Sequence, residues 1–137
     1  MPKLRTYCVF VSHCWEYNAN YFTLVDWFDD EPCFDWEDLS VPDEAPLRED
    51  KNLEKRLRKR LGAADIMVVI VGMEIAHRRW MAWEIKWARI RGIPILGVMP
   101  NGAVRVPKIV LDSGCPIVRW RRDSVIRAIR QLARDQR

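Results

Sequence analysis

The sequence predicts an α/β fold, a flavodoxin-like five-stranded parallel sheet in the order 2-1-3-4-5 with helices on both faces, on three observations. Strand-like and helical patterns alternate from one end of the 137-residue chain to the other, which indicates crossover units and a parallel sheet. The run Ile66-Met67-Val68-Val69-Ile70-Val71 is apolar at every position, as a strand covered on both faces must be. Right-handed crossovers of this spacing place helices on both sides of the sheet. No internal repeat, linker or low-complexity stretch divides residues 1–137, which read as a single domain with one sizeable core.

Thr6 to Ser12 is a short β-rich run. Asn18 to Asp30 reads as a helix, with Tyr21, Phe22, Leu24, Val25 and Phe28 as candidate core positions. Cys33 to Trp36 is a short second strand. Glu37 to Glu49 holds Pro42, Pro46 and several acids, and reads as a loop. Asp50 to Ala63 is an amphipathic helix with Leu53, Leu57 and Leu61 on one face and Asp50 as its expected cap. Asp65 to Gly72 is the buried strand. Arg78 to Arg91 is a tryptophan-rich helix that Gly92 closes. Ile93 to Met99 is another buried strand, and Val104 to Asp112 a short helix or irregular turn. Pro116 to Arg119 is the last strand and Asp123 to Arg134 the last helix.

The composition, 49% hydrophobic and 31% charged, is that of a globular protein. No apolar run approaches the length of a membrane span and no signal peptide is visible, so a cytoplasmic protein is expected, with no membrane partner. The four cysteines, Cys8, Cys14, Cys33 and Cys115, match neither a zinc nor a C-x-x-C spacing and are expected as reduced thiols. The net charge of +4 resides in Lys51–Arg60 and Arg119–Arg137. These read as solvated helix faces, and no nucleic-acid module accompanies them, so no nucleic-acid partner is expected.

In a doubly wound sheet of this order ligands bind beyond the carboxyl ends of the strands, beside the switch point between the first and third. That rule selects Ser12 to Tyr17 and Gly72 to Arg79. The first loop, Ser12-His13-Cys14-Trp15-Glu16-Tyr17, combines a hydroxyl, an imidazole and an indole. Read alone, it is more simply a capped turn with Trp15 as core packing. His13 and Cys14 are adjacent, an unfavourable geometry for a nucleophile pair. One to two turns into the helix after the second loop stands Glu84, whose neighbours three and four positions away are Trp80, Met81, Trp87 and Ala88. A surface glutamate gains from a basic residue at those spacings. One among apolar side chains must face a cleft, find a distant partner or accept a costly burial. Of the seven tryptophans, Trp15, Trp36, Trp80 and Trp83 fall near the expected cleft, where aromatic rings stack on flat heterocycles as readily as they fill a core.

Several chemistries are excluded. No G-x-G-x-x-G follows the first strand and no Walker A motif occurs. Two histidines without H-E-x-x-H make no metal hydrolase, and no metal is expected. A phosphoacceptor site needs acids at the strand ends, and the third strand ends in Gly72-Met73.

Tyr7-Cys8-Val9-Phe10-Val11-Ser12-His13 resembles the opening strand of TIR domains, and Trp80-x-x-x-Glu84 resembles the Trp-x-x-x-Glu of the enzymatic ones. Phe34-Asp35-Trp36-Glu37-Asp38-Leu39 stands where those domains carry their BB loop. In finer detail, Val-Phe-Val-Ser-His-x-Trp, then Phe-Asp-Trp with Ser-Val-Pro, then Val-x-Gly-Met before the tryptophan helix is similar to the TIR-like branch that contains the TIR subunit of the bacterial Thoeris anti-phage system. Ala76-His77-Arg78-Arg79 departs from the family's Ser-rich approach to that helix.

The resemblance implies a TIR-like fold and an enzyme that cleaves NAD as its substrate, with no cofactor, releasing nicotinamide. It implies Glu84 as the catalytic carboxylate and Trp80 against the ribose or nicotinamide. Phe10, Ser12 and His13 would line the nicotinamide end, and the loop around Trp36 to Val41 would cover the site, with Trp15 and Trp83 as further binding aromatics. The implied product is a cyclic ADP-ribose isomer made in answer to a phage-derived trigger and sensed by a separate effector protein. The competing expectation is a scaffold that acts by homotypic assembly, its acidic Asp35–Glu49 segment meeting basic helices of another copy as a homo-oligomer.

Overall fold

In the computed structural model, residues 5–12, 19–40, 51–71, 78–100, 106 and 108–135 are described. The strands are β1 (Thr6–Ser12), β2 (Asp35–Asp38), β3 (Ile66–Ile70), β4 (Ile95–Met99) and β5 (Ile117–Arg119). The helices are α1 (Ala19–Asp30), α2 (Lys51–Ala63), α3 (Arg78–Ile90), α4 (Lys108–Asp112) and α5 (Arg122–Leu132). The five strands are all parallel in the order β2-β1-β3-β4-β5, as the alternation of patterns predicts. β3 is buried at every residue, which is why its sequence carries no polar alternation.

Side-chain alternation along each strand divides the core into two layers. Val9 and Val11 of β1, with Ile66, Val68 and Ile70 of β3, pack under Leu24 and Phe28 of α1 and Val125, Ile126 and Ile129 of α5. Phe10 of β1, with Met67 and Val69 of β3, packs under Leu57 and Leu61 of α2 and Met81, Ile85 and Ala88 of α3. Leu57 and Leu61 are thus the apolar stripe that the sequence marks on α2.

Element ends follow from local chemistry. α3 stops where Gly92 turns to φ 71°. The Ile93 and Gly92 N–H groups donate back to the Ala88 and Arg89 carbonyls, at 2.8 and 3.2 Å, satisfying the last turn as the glycine in the sequence implies. α2 has no glycine stop. Instead the Arg134 guanidinium, beyond α5, donates to the Gly62 and Ala64 carbonyls at 3.1 Å, placing a cation at the negative end of that helix.

The second strand differs from the sequence reading. It begins at Asp35 rather than Cys33, because Cys33 adopts φ 60°, a left-handed turn conformation that no strand accommodates. It then runs through Glu37 and Asp38, which the composition had assigned to a loop. Of the expected helix or turn over Val104 to Asp112, the structure shows α4; residues 101–105 and 107 lie outside the described portion.

Candidate functional site

The order of the sheet reverses at β1, whose neighbours are β2 and β3. Ser12 is the last residue of β1, opposite Val69 of β3. It projects to the α3 side of the sheet, two residues beyond Phe10, which is fully buried there. Met81, Ile85 and Ala88 seat α3 on this face, and Glu84 belongs to the same helical stripe. Glu84 is only 8% exposed and Ser12 only 2%. The Ser12 hydroxyl donates to Glu84 Oε1 at 2.7 Å. Of the three fates open to a carboxylate in apolar sequence, the structure realises burial with a distant partner.

Ser40 and Asp65 are the other buried polar side chains among the described residues. Both serve the backbone. Asp65 Oδ2 accepts the Cys8 N–H at 2.9 Å where β3 begins. Ser40 Oγ accepts the Val11 N–H, also at 2.9 Å. With the Leu39 N–H donating to the Val9 carbonyl at 2.8 Å, Ser40 continues the β1–β2 pairing past the end of β2. The chain leaving β2 is thereby fixed beside the end of β1 that carries Ser12. Asp38 reinforces this corner: one carboxylate oxygen accepts the Ser40 N–H and the other the Tyr21 phenol. Burial, then the bond and negative charge of Asp38, drive the Tyr21 phenol well above its ordinary titration range. Ser40 was missed from sequence; its partner lies across strands and leaves no local pattern. Among the described residues no buried side-chain nitrogen or oxygen lacks a hydrogen-bond partner.

The remaining expected site residues divide three ways. His13 and Trp15 lie outside the described residues, as does Cys14. Trp80 is in the first turn of α3, one turn before Glu84, and its side chain is outside the described portion. Trp83 stacks on Trp87 with centroids 6.0 Å apart and rings 10° from parallel. It lines a groove of about 670 Å³ on the α3–α4 flank with Lys86, Arg89, Ile90, Ile109 and Asp112. Glu84 is not among that lining, so Trp83 belongs to a neighbouring surface.

Trp36 is not brought to Glu84. It sits opposite Tyr7 in the β1–β2 register, and packs on the α1–α5 face. Its indole N–H donates to Asp29 Oδ1 at 2.7 Å, and its ring meets Phe28 edge-on at 5.0 Å. It is on the other side of the sheet, about 16 Å back along the strand from Ser12. The expectation of a ring over the cleft is corrected to one in the opposite core layer. The cause is register: Trp36 pairs with Tyr7, which fixes its face and its distance from Ser12.

No group of three or more His, Cys, Asp or Glu residues among the described residues is placed to hold a metal ion. The arrangement offers instead one buried carboxylate, oriented from a second element, at the end of the sheet where ligands bind.

Residues 10–105 match the sequence profile of a family described as Thoeris protein ThsB, TIR-like domain. Curated protein sequences give no match. Among solved structures, a conserved protein from Enterococcus faecalis superposes with a TM-score of 0.67 at 12% identity, over 93% of this chain and 99% of that one. A Clostridium botulinum CMP N-glycosidase superposes with a TM-score of 0.59 at 11% identity, over 90% of this chain and 98% of its own. At such identities the structures share the fold with this chain.

Proposed function

Because the chain belongs to the Thoeris ThsB TIR-like family, we propose that it cleaves NAD, releasing nicotinamide and forming a cyclic ADP-ribose isomer that acts as a second messenger in anti-phage defence. The observation that carries this reading is the buried Ser12–Glu84 pair at the switch point of the sheet. A fixed carboxylate suits this reaction. When the bond between the ribose carbon and nicotinamide breaks, the electron pair leaves with the ring nitrogen and the pyridine departs neutral, so no general acid is needed. The ribose carbon is left with oxocarbenium character, as in glycoside hydrolysis. The Glu84 carboxylate stabilises that positive charge and accepts from the ribose hydroxyls.

A nucleophile then forms the new bond at the ribose carbon. Where water reaches it, ADP-ribose results and a proton is lost to solvent. Where the site excludes water, the adenosine half of the same molecule attacks and the product is cyclic. Trp80, one turn before Glu84 in α3, is assigned to hold the ribose or nicotinamide, together with His13 and Trp15 from the segment that follows Ser12 in the sequence. The Clostridium botulinum protein of similar fold is by its name an N-glycosidase, and the bond to nicotinamide is likewise N-glycosidic. NAD is a substrate here and no further cofactor is invoked. No described helix is long and apolar enough to cross a membrane; the messenger is proposed to be made in the cytoplasm for a separate effector.

The test is incubation of the purified protein with NAD, with and without lysate from phage-infected cells, followed by mass spectrometry. Nicotinamide together with a cyclic ADP-ribose species is the expected result. Intact NAD under both conditions would replace this reading with a scaffold working by homotypic assembly.

A further inference from the structure

Glu84 reaches the end of β1 from α3, on a side chain with three rotatable bonds whose ordering costs entropy. Ser12 approaches from β1 on a side chain with one. The backbone on which Ser12 rides is held on both sides. Ser12 is registered against Val69 of β3, and the adjacent Val11 N–H is held by Ser40 Oγ. The hydroxyl is therefore a fixed point, 2% exposed, to which the carboxylate is tied at 2.7 Å. That length is a well-formed O–H···O hydrogen bond. A purely structural need would be met more simply: valines fill the neighbouring positions, Val11 on β1 and Val69 across the register, and apolar pairs replace buried hydrogen-bonded ones at little cost.

Resting on the reading of Glu84 as the carboxylate of NAD cleavage, we propose that Ser12 is a positioning residue that fixes the Glu84 carboxylate in its ionised, productive orientation. It acts through Glu84, in place of the contact with nicotinamide that the sequence suggested. The bond joins residues 72 apart in the chain and ties α3 to the end of β1. The geometry of the catalytic group is thus set by the sheet as well as by its own helix.

The experiment compares kcat and KM for NAD across pH in the wild type, Ser12→Ala, Ser12→Thr and Ser40→Ala, with folding checked by circular dichroism. Loss of a hydrogen bond to a charged group lowers kcat of Ser12→Ala by about 10- to 100-fold, with KM little changed. The acid limb of its kcat profile moves to higher pH, because the ionised carboxylate has lost a donor. Ser12→Thr, which keeps the hydroxyl, recovers most of kcat and the wild-type limb. Ser40→Ala lowers the unfolding midpoint and leaves the limb in place. A rise in KM alone, or a lower kcat with the limb unmoved, would overturn the assignment. Should Ser12→Ala not fold, Ser12→Cys, nearly isosteric and a weak donor, takes its place in the same comparison.

Nicotinamide release by the wild type judges the NAD reading separately. Independently of turnover, a ¹³C NMR titration of the Glu84 carboxyl reads the pair itself. A higher midpoint in Ser12→Ala than in wild type supports the positioning role, and an unchanged midpoint overturns it.

Discussion

Val11 and Ser12 are consecutive residues of β1, and they enter different environments. Val11 turns toward α1 and α5, into a layer closed by Leu24, Phe28, Val125 and Ile129. Ser12 turns toward α3 and meets a carboxylate. The first layer also holds a cluster of aromatic contacts. Trp27 packs on Trp120 at 5.0 Å, Tyr7 stacks on Phe34 at 5.1 Å, and Phe28 contacts both Phe34 and Trp36. Its polar atoms go to structural partners, as the Trp36 indole does to Asp29. The lesson is that aromatic density in this layer marks packing, whereas a buried polar pair at a strand end marks the candidate site. The α1–α5 face secures the sheet, and the α2–α3 face gives part of its packing to a buried polar pair.

Substitutions on the packed face should therefore change stability and spare the chemistry. The largest effect is expected from Phe28→Ala, which removes a fully buried ring from the centre of the aromatic cluster. It should lower unfolding free energy by about 3–5 kcal/mol in urea titrations, while the molecules still folded at low temperature retain wild-type kcat. A kcat that falls in step with stability even among folded molecules would show the two faces to be coupled.

Tyr21→Phe is the next in size. Losing the phenol's bond to the Asp38 carboxylate should cost about 1–2 kcal/mol near neutral pH. The sign of its pH dependence follows from the raised titration of the folded phenol. Below the unfolded value of about 10 the contribution is complete. Above it the unfolded chain ionises first, so the wild type loses stability as pH rises and the deficit of the variant shrinks. Urea midpoints at pH 7 and at alkaline pH test this, and a deficit that grows with pH would contradict it. The smallest effect is expected from Trp36→Phe, which gives up the exposed bond to Asp29 for about 0.5–1 kcal/mol. Its KM for NAD should stay near that of the wild type, whereas a ring over the cleft would make KM rise. The same kinetic assay thus tests the placement of Trp36 on the packed face.

Much of the architecture was legible because its causes are local or nearly so. An apolar run such as Ile66–Ile70 has one sensible environment, and the Schellman turn at Gly92 is written in the residue itself. Five strands alternating with helices then suggested the flavodoxin-like strand order. Glu84 was legible for a related reason: its helical neighbours are all apolar, and its own exposure of 8% accords with them. What escaped depends on contacts between distant segments. The face on which Trp36 falls is set by its pairing with Tyr7, which no pattern inside Phe34-Asp35-Trp36 reveals. Ser40 reads as an ordinary loop serine until β1 is beside it. Ser12 and Glu84 were each singled out from sequence, yet their bond spans the chain and became visible only in the fold.

The central claim, that Glu84 carries the cleavage of NAD, is tested most directly by nicotinamide release from wild type and Glu84→Gln at equal concentration and matched circular dichroism. Glutamine keeps the size of the side chain and a group that can accept from Ser12, and removes the negative charge that opposes the oxocarbenium ion. The account predicts release by the wild type and a loss of about 10³-fold or more in the variant, with unfolding midpoints close together. Equal release by the two proteins would contradict it.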